Sequence, residues 1–189
     1  MAMERMRKLL AAGPGYMDDA SLLGLSTSEA DPNGRMGHIP GFPIGTTFSS
    51  RKECANARVH GKTVAGIHGC KKGAYSIVLS GGYEDDTDEG DFILYTGTGG
   101  REDSFGGVSK NSPQTHDQSF KHPDNAALAE NARTGRPVRV IRGPNGHSPY
   151  APESGYRYDG LYKVERAYLD KGASGFMICR FELRKLPDQ

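Results

Sequence analysis

An acidic run beside glycines is the first group of residues whose spacing could support chemistry. Every charged residue from Glu84 to Asp91 is a carboxylic acid. Calcium loops of the EF-hand type need acids at alternate positions, glycine at the sixth position and glutamate at the twelfth. Counted from Asp86, the glycine comes one position early, and Gly97 stands where the glutamate is required. The run therefore does not match a calcium loop, and we predict no metal site.

A glycine-rich segment follows, and glycine-rich loops can bind phosphate groups through their backbone amides. At Gly97–Gly100 the dinucleotide fingerprint fails, because Glu102 stands where its last glycine is required and the following residues do not predict a helix. The lysine of a P-loop is also missing. The histidines form no H-x-x-x-H pair, and the chain has no G-x-S-x-G elbow. We therefore expect no cofactor, no catalytic residues and no enzyme activity.

Two tyrosines on either side of the acidic run are the remaining candidates. Tyr83 and Asp86 lie in G-G-Y-E-D-D at 81–86, and Tyr95 lies in F-I-L-Y-T-G-T-G-G-R at 92–101. The residue types leave two interpretations open. The three side chains could form a binding site, or the tyrosines could be core residues beside a solvated hairpin. The residues alone favour the second interpretation.

The composition is typical of one loop-rich domain. The 189 residues are 35% hydrophobic and 25% charged, with 26 glycines and 11 prolines, which favours strands and turns over a helical bundle. No apolar stretch approaches the length of a membrane span, and the N-terminus has no signal-peptide pattern. Cys54, Cys70 and Cys179 suit neither a disulfide framework nor a zinc pair. We expect a soluble intracellular protein with reduced thiols.

Charge is segregated although the formal net charge is only +1. The segment from residue 131 to 142 is basic, with Arg133, Arg136, Arg139 and Arg142, and it contains no acidic residue. Such a distribution could form a basic groove for nucleic acid or two solvated surface patches. Charge alone does not decide between these two possibilities.

The elements that must position the candidate residues are mostly strands. Apolar and β-branched runs predict strands at 63–67, 74–79, 92–96, 137–142, 156–169 and 175–184. Residues 97–118 show no hydrophobic period and predict a long functional loop. The pattern indicates an α+β domain built on a mostly antiparallel curved sheet or barrel, with two or three short helices.

Helices are fewer and shorter in this interpretation. Asp124–Arg133 is the clearest, with Asp124 as its cap and Gly135 at its end, and Ser49 or Ser50 could cap a short helix over Arg51–Val59. Residues 1–37 read as an N-terminal arm with one possible helix at Met3–Ala12, and the domain proper is predicted for 38–189.

At the tyrosine motifs the chain resembles the SRA domain (SET- and RING-associated), also called the YDG domain. The similarity extends in order over roughly residues 38 to 186. It is carried by P-G-F-P-I-G-T at 40–46, V-A-G-I-H-G at 64–69, G-A-Y-S-I-V-L-S-G-G-Y-E-D-D at 73–86, Y-T-G-T-G-G-R at 95–101, D-Q at 117–118, N-A-A-L-A at 125–129, G-R-P-V-R-V-I-R at 135–142, Y-A-P-E-S-G-Y-R-Y-D-G-L-Y-K-V at 150–164 and S-G-F at 174–176. The resemblance implies a PUA-like β-barrel or saddle with flanking short helices.

The same resemblance implies a module that flips 5-methylcytosine out of double-stranded DNA. Tyr83 and Tyr95 would sandwich the base, and Asp86 would accept a hydrogen bond from its N4 amino group. Val64 would lie on the loop that fills the gap in the duplex. Thr98, with Tyr83, would line the space for the 5-methyl group. Other residues carried over from the family are Ser80, Gly81, Gly82 and Thr96 around the base, and Arg101 and His68 as possible phosphate contacts.

The implied roles suit the chemistry of the residues. Extruding a base costs a few kcal/mol, and stacking returns about 1 to 3 kcal/mol per base. An acid opposite N4 distinguishes cytosine from thymine, because thymine presents an acceptor there. One methyl group is worth only about 0.8 kcal/mol, so we expect modest selectivity for methylation and strong rejection of thymine.

Two departures from the family pattern concern selectivity. Thr98 stands where a serine is usual. The loop expected to read the opposite strand carries Ser109, Lys110 and Asn111 in place of an N-K-R finger, which puts a preference for hemimethylated DNA in doubt.

We expect a non-catalytic nuclear reader of methylated DNA, with chromatin proteins as possible partners and no membrane association. The recognition part of a modification-dependent endonuclease is the alternative.

Overall fold

The computed structural model describes residues 35–101 and 113–189. The predicted helix at Met3–Ala12 and the finger residues Ser109, Lys110 and Asn111 lie outside the described residues. The extent of the N-terminal arm therefore stays a prediction. Among the described residues no helix is long and apolar enough to cross a membrane.

In the part of the chain that the structure describes, eight strands form one sheet, and two helices lie beside it. The strands are β1 (Thr47–Phe48), β2 (Ile67–Cys70), β3 (Gly73–Leu79), β4 (Thr87–Asp88), β5 (Phe92–Thr96), β6 (Val138–Arg142), β7 (Tyr156–Lys171) and β8 (Met177–Lys185), and the helices are α1 (Arg51–Asn56) and α2 (Pro123–Thr134). The order across the sheet is β2-β3-β6-β7-β8-β5-β4, with β1 paired to β7. Among these strands the β3–β6 pair is parallel and the other pairs are antiparallel. This confirms the predicted α+β class.

The sheet curls without closing. Two register shifts place an extra residue in β7, Asp159 opposite β6 and Glu165 opposite β8, and both bend that strand. Three strands separate β3 from β5 in the sheet, yet the Tyr95 hydroxyl on β5 donates to the Val78 carbonyl on β3 at 3.3 Å. Within the described residues β2 and β4 do not pair, so the PUA-like fold is an open saddle and not a hydrogen-bonded barrel.

Three of the differences between the predicted and the observed elements concern the bounds or caps of elements beside the site. The strand predicted at 63–67 begins only at Ile67, because residues 61–66 form a loop. Helix α1 has the predicted Ser50 cap but ends at Asn56. Helix α2 is capped by His122, whose side chain accepts from the Asp124 amide, so Asp124 is not the cap but a residue of the first turn.

The tripeptide behind the name YDG is structural. Tyr158 is fully buried, and its hydroxyl bonds to His38 Nδ1 at 2.7 Å. Asp159 is the bulge residue opposite β6 and binds the buried Arg142 guanidinium at 2.9 Å. Gly160 has φ +110°, a conformation that L side chains rarely adopt. Each of the three residues holds β7 against β6, and none of them lines the cavity described below.

The basic segment does not form a groove. Arg139 is fully buried and donates to the backbone carbonyls of Val59 and Gly37, while Arg142 is 3% exposed. Arg133 is exposed and pairs with Glu130. Both interpretations of the charge pattern were therefore wrong for Arg139 and Arg142, because these arginines hold the core together.

Candidate functional site

One cavity of about 770 Å³ collects most of the predicted site residues. Its walls come from the 63–66 loop, the end of β3, the turn after it, β5 with the segment that follows, and residues 116–122. The predicted residues that line it are Val64, Ser80, Gly82, Tyr83, Asp86, Tyr95, Thr98 and Arg101. Gly81, Thr96 and His68 do not line it.

The two tyrosines have different environments. Tyr95 is 4% exposed and belongs to the main apolar cluster, and burial raises the pKa of its hydroxyl. Tyr83 is half-buried and outside both core clusters. Tyr95 is therefore a core residue that also presents a ring to the cavity, whereas Tyr83 serves the cavity alone. The two interpretations of the tyrosine pair were not mutually exclusive.

Asp86 is held by the strand beside it. One carboxylate oxygen, Oδ1, accepts a hydrogen bond from the Thr96 amide at 2.8 Å. Thr96 is 1% exposed, so its contribution to the site is this backbone bond. Burial raises the pKa of Asp86 to about 7, and the bonds from Thr96 and the charge of Arg180 oppose that rise. Among residues 35–101 and 113–189, no hydrogen bond to the second oxygen, Oδ2, is seen.

Arg101 faces inward. Its guanidinium lies 4.2 Å from the centre of the Tyr83 ring and donates to the Gly82 carbonyl at 2.8 Å. A guanidinium on an aromatic face is attracted by the ring quadrupole. As placed, Arg101 braces Tyr83 at the cavity wall, and its predicted contact with phosphate stays a prediction.

The loop that carries Val64 is held by the side chains of Arg51 and His60. Val64 is 83% exposed at its tip. Arg51 donates to the carbonyls of Lys62 and Ala65, and buried His60 bonds to the Ala65 carbonyl at 2.9 Å. Burial lowers the pKa of His60 to about 3, so its ring is neutral at pH 7. Sequence reasoning missed both supports, since an arginine in a helix and an isolated histidine carry no recognisable signal.

His68 lies on β2, the strand that follows this loop. Its Nδ1 accepts from the Gly61 amide at 3.0 Å, and its ring packs edge-on against Tyr75. Burial, with nearby positive charges, lowers the pKa of His68 to about 4. His68 is thus neutral at pH 7 and could meet a phosphate only as a neutral donor.

Half of the acidic run is solvent-exposed (Glu84, Glu89 and Asp91), and the other three acids are at least partly buried. Both carboxylate oxygens of Asp88 accept hydrogen bonds from the buried Arg142 guanidinium, and the Asp85 carboxylate accepts one from the Ala173 amide at 2.8 Å. Within residues 35–101 and 113–189 no group of three or more His, Cys, Asp or Glu could hold a metal ion. Two of the acids therefore brace the turn that presents Asp86.

A family model for the SAD/SRA domain matches residues 35–189. The chain belongs to the SRA family. A UHRF1-like protein of Cryptococcus neoformans is 49% identical over 161 residues, which are 81% of this chain and 46% of that protein. The E3 ubiquitin-protein ligase UHRF1 of Rattus norvegicus is 45% identical over 170 residues, covering 82% of this chain and 22% of the ligase. The SRA chain thus spans less than half the length of these relatives.

Solved structures show the same SRA fold. The modification-dependent TagI restriction endonuclease superposes with a TM-score of 0.75 at 46% identity, over 81% of this chain and 53% of its own. The SUVH5 SRA domain in complex with hemimethylated CG DNA has a TM-score of 0.66 at 35% identity, over 82% and 95% of the two chains. The predicted family and PUA-like fold are confirmed.

Proposed function

We propose that this SRA chain binds double-stranded DNA containing 5-methylcytosine and takes the modified base into the cavity. The observation that carries the proposal is that Asp86 lines the same cavity as Tyr83 and Tyr95, with one carboxylate oxygen tied to the Thr96 amide. The complex of the SUVH5 SRA domain with hemimethylated CG DNA supports the same ligand class.

The cavity is suited to a flat, polar-edged ring. Tyr95 offers one aromatic face, and Tyr83 offers the face that the Arg101 guanidinium does not cover. Stacking on these rings offsets much of the few kcal/mol that extrusion requires. Oδ2 of Asp86 accepts from the N4 amino group of cytosine, where thymine would present an acceptor. The exposed Val64 enters the gap left in the duplex. Because Arg51 and His60 already hold that loop, little ordering accompanies binding.

The direct test compares one duplex in unmodified, hemimethylated, fully methylated and hydroxymethylated forms, together with a duplex carrying thymine at the same site. Tight binding of the methylated forms with rejection of thymine supports the proposal. Equal affinity for all duplexes would show that the cavity does not receive the base.

Substituting Val64 with glycine should weaken binding of methylated duplex about 3- to 10-fold, since the gap then loses one packed side chain. The free energy of unfolding should fall by at most about 1 kcal/mol, the backbone entropy that glycine adds to the unfolded chain, because the side chain itself is 83% exposed. Titration by fluorescence anisotropy measures the loss. Ile44→Gly, at a site 36% exposed and outside the cavity lining, is the control and should bind normally.

The affinity for methylated duplex should fall about 100-fold between 50 and 200 mM salt, as expected for roughly four phosphate contacts.

Exposed Lys121 lies, in the sequence, between the cavity-lining residues Ser119 and His122. Lys121→Gln should therefore reduce the slope of log K against log salt by about one. Lys72→Gln, beside Arg136 just beyond the end of α2, is the control. An unchanged slope for Lys121→Gln would place the phosphates elsewhere.

The second candidate is the recognition part of a modification-dependent endonuclease, which the similarity to TagI favours. Incubation of methylated plasmid with Mg²⁺ or Mn²⁺ tests it. We expect this chain alone to leave the plasmid intact, as a reader does. Cleavage would reverse that assignment. Nuclear localisation and chromatin partners are proposed from the similarity to UHRF1 proteins.

A further inference from the structure

Helix α2 carries two buried asparagines that bind backbone in the same way. Asn125 Oδ1 accepts from the Thr98 amide at 2.8 Å, and its Nδ2 donates to the Thr98 carbonyl at 2.9 Å. Asn131 Oδ1 accepts from the Ala74 amide at 2.7 Å, and its Nδ2 donates to the Ala74 carbonyl at 3.0 Å. We call each arrangement an amide clasp. Both asparagines are fully buried.

Only one clasp acts on the cavity. Thr98 lines the cavity, whereas Ala74 lies in the buried strand β3 away from it. Because the Asn125 clasp satisfies both backbone polar groups of Thr98, the residue is fixed much as a neighbouring strand would fix it. A further bond of Asn125, to the Ser119 carbonyl at 3.0 Å, ties a second cavity segment to the same side chain.

A buried glutamine fixes the residues on either side of Thr98. Gln118 Nε2 donates to the Gly97 carbonyl at 2.9 Å and faces the Gly99 carbonyl at 3.4 Å. Its Oε1 accepts from the Cys179 amide at 3.0 Å, which joins the segment to β8. Gly97 has no room for a side chain, since a Cβ would lie 2.6 Å from Asn125 Oδ1.

We propose that Asn125 and Gln118 are positioning residues that set the selectivity of the cavity for the substituent on C5 of the flipped cytosine. They do so by fixing the 97–99 backbone that carries Thr98. This inference rests on the proposed function. A single methyl contact is worth about fourfold in affinity. A wall that moved away by about 0.5 to 1 Å would lose roughly a quarter to a half of its dispersion contact with that methyl group, and a fixed wall keeps it.

The test measures the affinity ratio for methylated over unmodified duplex, and for hydroxymethylated over methylated duplex. Asn125→Asp keeps the acceptor for the Thr98 amide and loses the donor to its carbonyl. Asn131→Asp makes the same chemical change in the same helix, at the same burial, on the clasp away from the cavity. Gln118→Met removes the second support without adding charge. Urea denaturation at low temperature establishes that each variant is folded under the binding conditions.

We expect the methylated-to-unmodified ratio to fall toward one for Asn125→Asp and Gln118→Met and to keep its wild-type value for Asn131→Asp. Wild-type ratios in all three variants would overturn the proposal. Equal loss in Asn125→Asp and Asn131→Asp would also overturn it, since global loosening would then be the cause. A wild-type chain that binds none of the duplexes would instead overturn the proposed function, and the inference with it.

Discussion

Replacing Asp86 with asparagine should weaken binding of a methylated duplex by about 10- to 100-fold, because the hydrogen bond it removes is charge-assisted. The asparagine oxygen can still accept from the Thr96 amide, as Asp86 Oδ1 does at 2.8 Å. The amide group then takes the place of Oδ2 and faces the N4 amino group of the base. Two hydrogen-bond donors, the asparagine amide and the N4 amino group, then face each other where Oδ2 of Asp86 would accept from N4.

The same substitution should make the free protein more stable at high pH. Burial raises the pKa of Asp86 from 3.8 to about 7. In the unfolded chain the carboxyl group ionises near 3.8, so the folded state becomes less favourable as pH rises from about 4 to about 7. Above pH 7 the full penalty remains. Since part of the carboxyl group faces the open cavity, we expect Asp86→Asn to raise the free energy of unfolding by about 2 to 4 kcal/mol above pH 7.

Two measurements separate these effects. Urea denaturation at pH 4.5 and 8.5 should show a gain for Asp86→Asn that is small at the lower pH and full at the higher one. Anisotropy titrations at pH 8 should show the loss of binding. Asp85→Asn is the control for binding, because Asp85 accepts from the Ala173 amide and does not line the cavity. Parallel pH profiles for wild type and Asp86→Asn would contradict the assignment of a raised pKa.

Strands β3 and β5 to β8 and helix α2 could be predicted because their patterns are local, whereas the two-residue strands β1 and β4 were not predicted. Strand β5 was predicted with its observed bounds, and β3 and β6 differ from prediction by one residue at one end. The loop at 61–66 could not be predicted, because V-A-G-I reads as β-prone while long-range bonds from Arg51 and His60 hold it. Distant partners of this kind leave no local pattern in a sequence.

The candidate site was predictable mainly through the family resemblance. Tyr83, Asp86 and Tyr95 line one cavity as that resemblance implied, although the residues alone favoured a core pair. The supports of the site remained hidden, because Asn125 and Gln118 bind backbone atoms far away in sequence. The charge of the acidic run suggested that its side chains are exposed to solvent. The structure instead pairs Asp88 with buried Arg142.

Replacing Arg142 with methionine should lower the free energy of unfolding by about 3 to 5 kcal/mol at pH 7, the usual effect of breaking a buried ion pair. Arg142 donates to both Asp88 oxygens, at 2.9 and 2.8 Å, and to Asp159 at 2.9 Å. It also donates to the Gly90 carbonyl at 2.8 Å. Without the guanidinium, two largely buried carboxylates lose their shared cation.

The loss should shrink as pH falls. Burial alone would raise the pKa of Asp88, but hydrogen bonds from Arg142 and Ser148 lower it overall. In the wild type, ionised Asp88 stabilises the folded state. This contribution is fully present above the pKa of Asp88 in the unfolded chain, and it is lost as pH falls through the lowered pKa of the folded state. In the variant burial prevails, and Asp88 takes up a proton at higher pH than before. Urea denaturation at pH 7 and pH 4 measures the difference. Arg166→Met, whose partner Glu182 lies 3.2 Å away on an exposed surface, should cost less than about 1 kcal/mol.

A double substitution decides whether charge or packing causes the loss. Adding Asp88→Asn to Arg142→Met should recover about 1 to 2 kcal/mol, since a neutral amide needs no cation and can still accept from the Gly90 amide as Asp88 does at 3.0 Å. No recovery would mean that lost packing, and not an uncompensated charge, destabilises the single variant. Because Asp88 lies on β4 two residues after Asp86, the double variant should also recover part of any lost affinity for methylated DNA. The pair of Arg142 and Asp88 would then be a support of the cavity as well as of the fold.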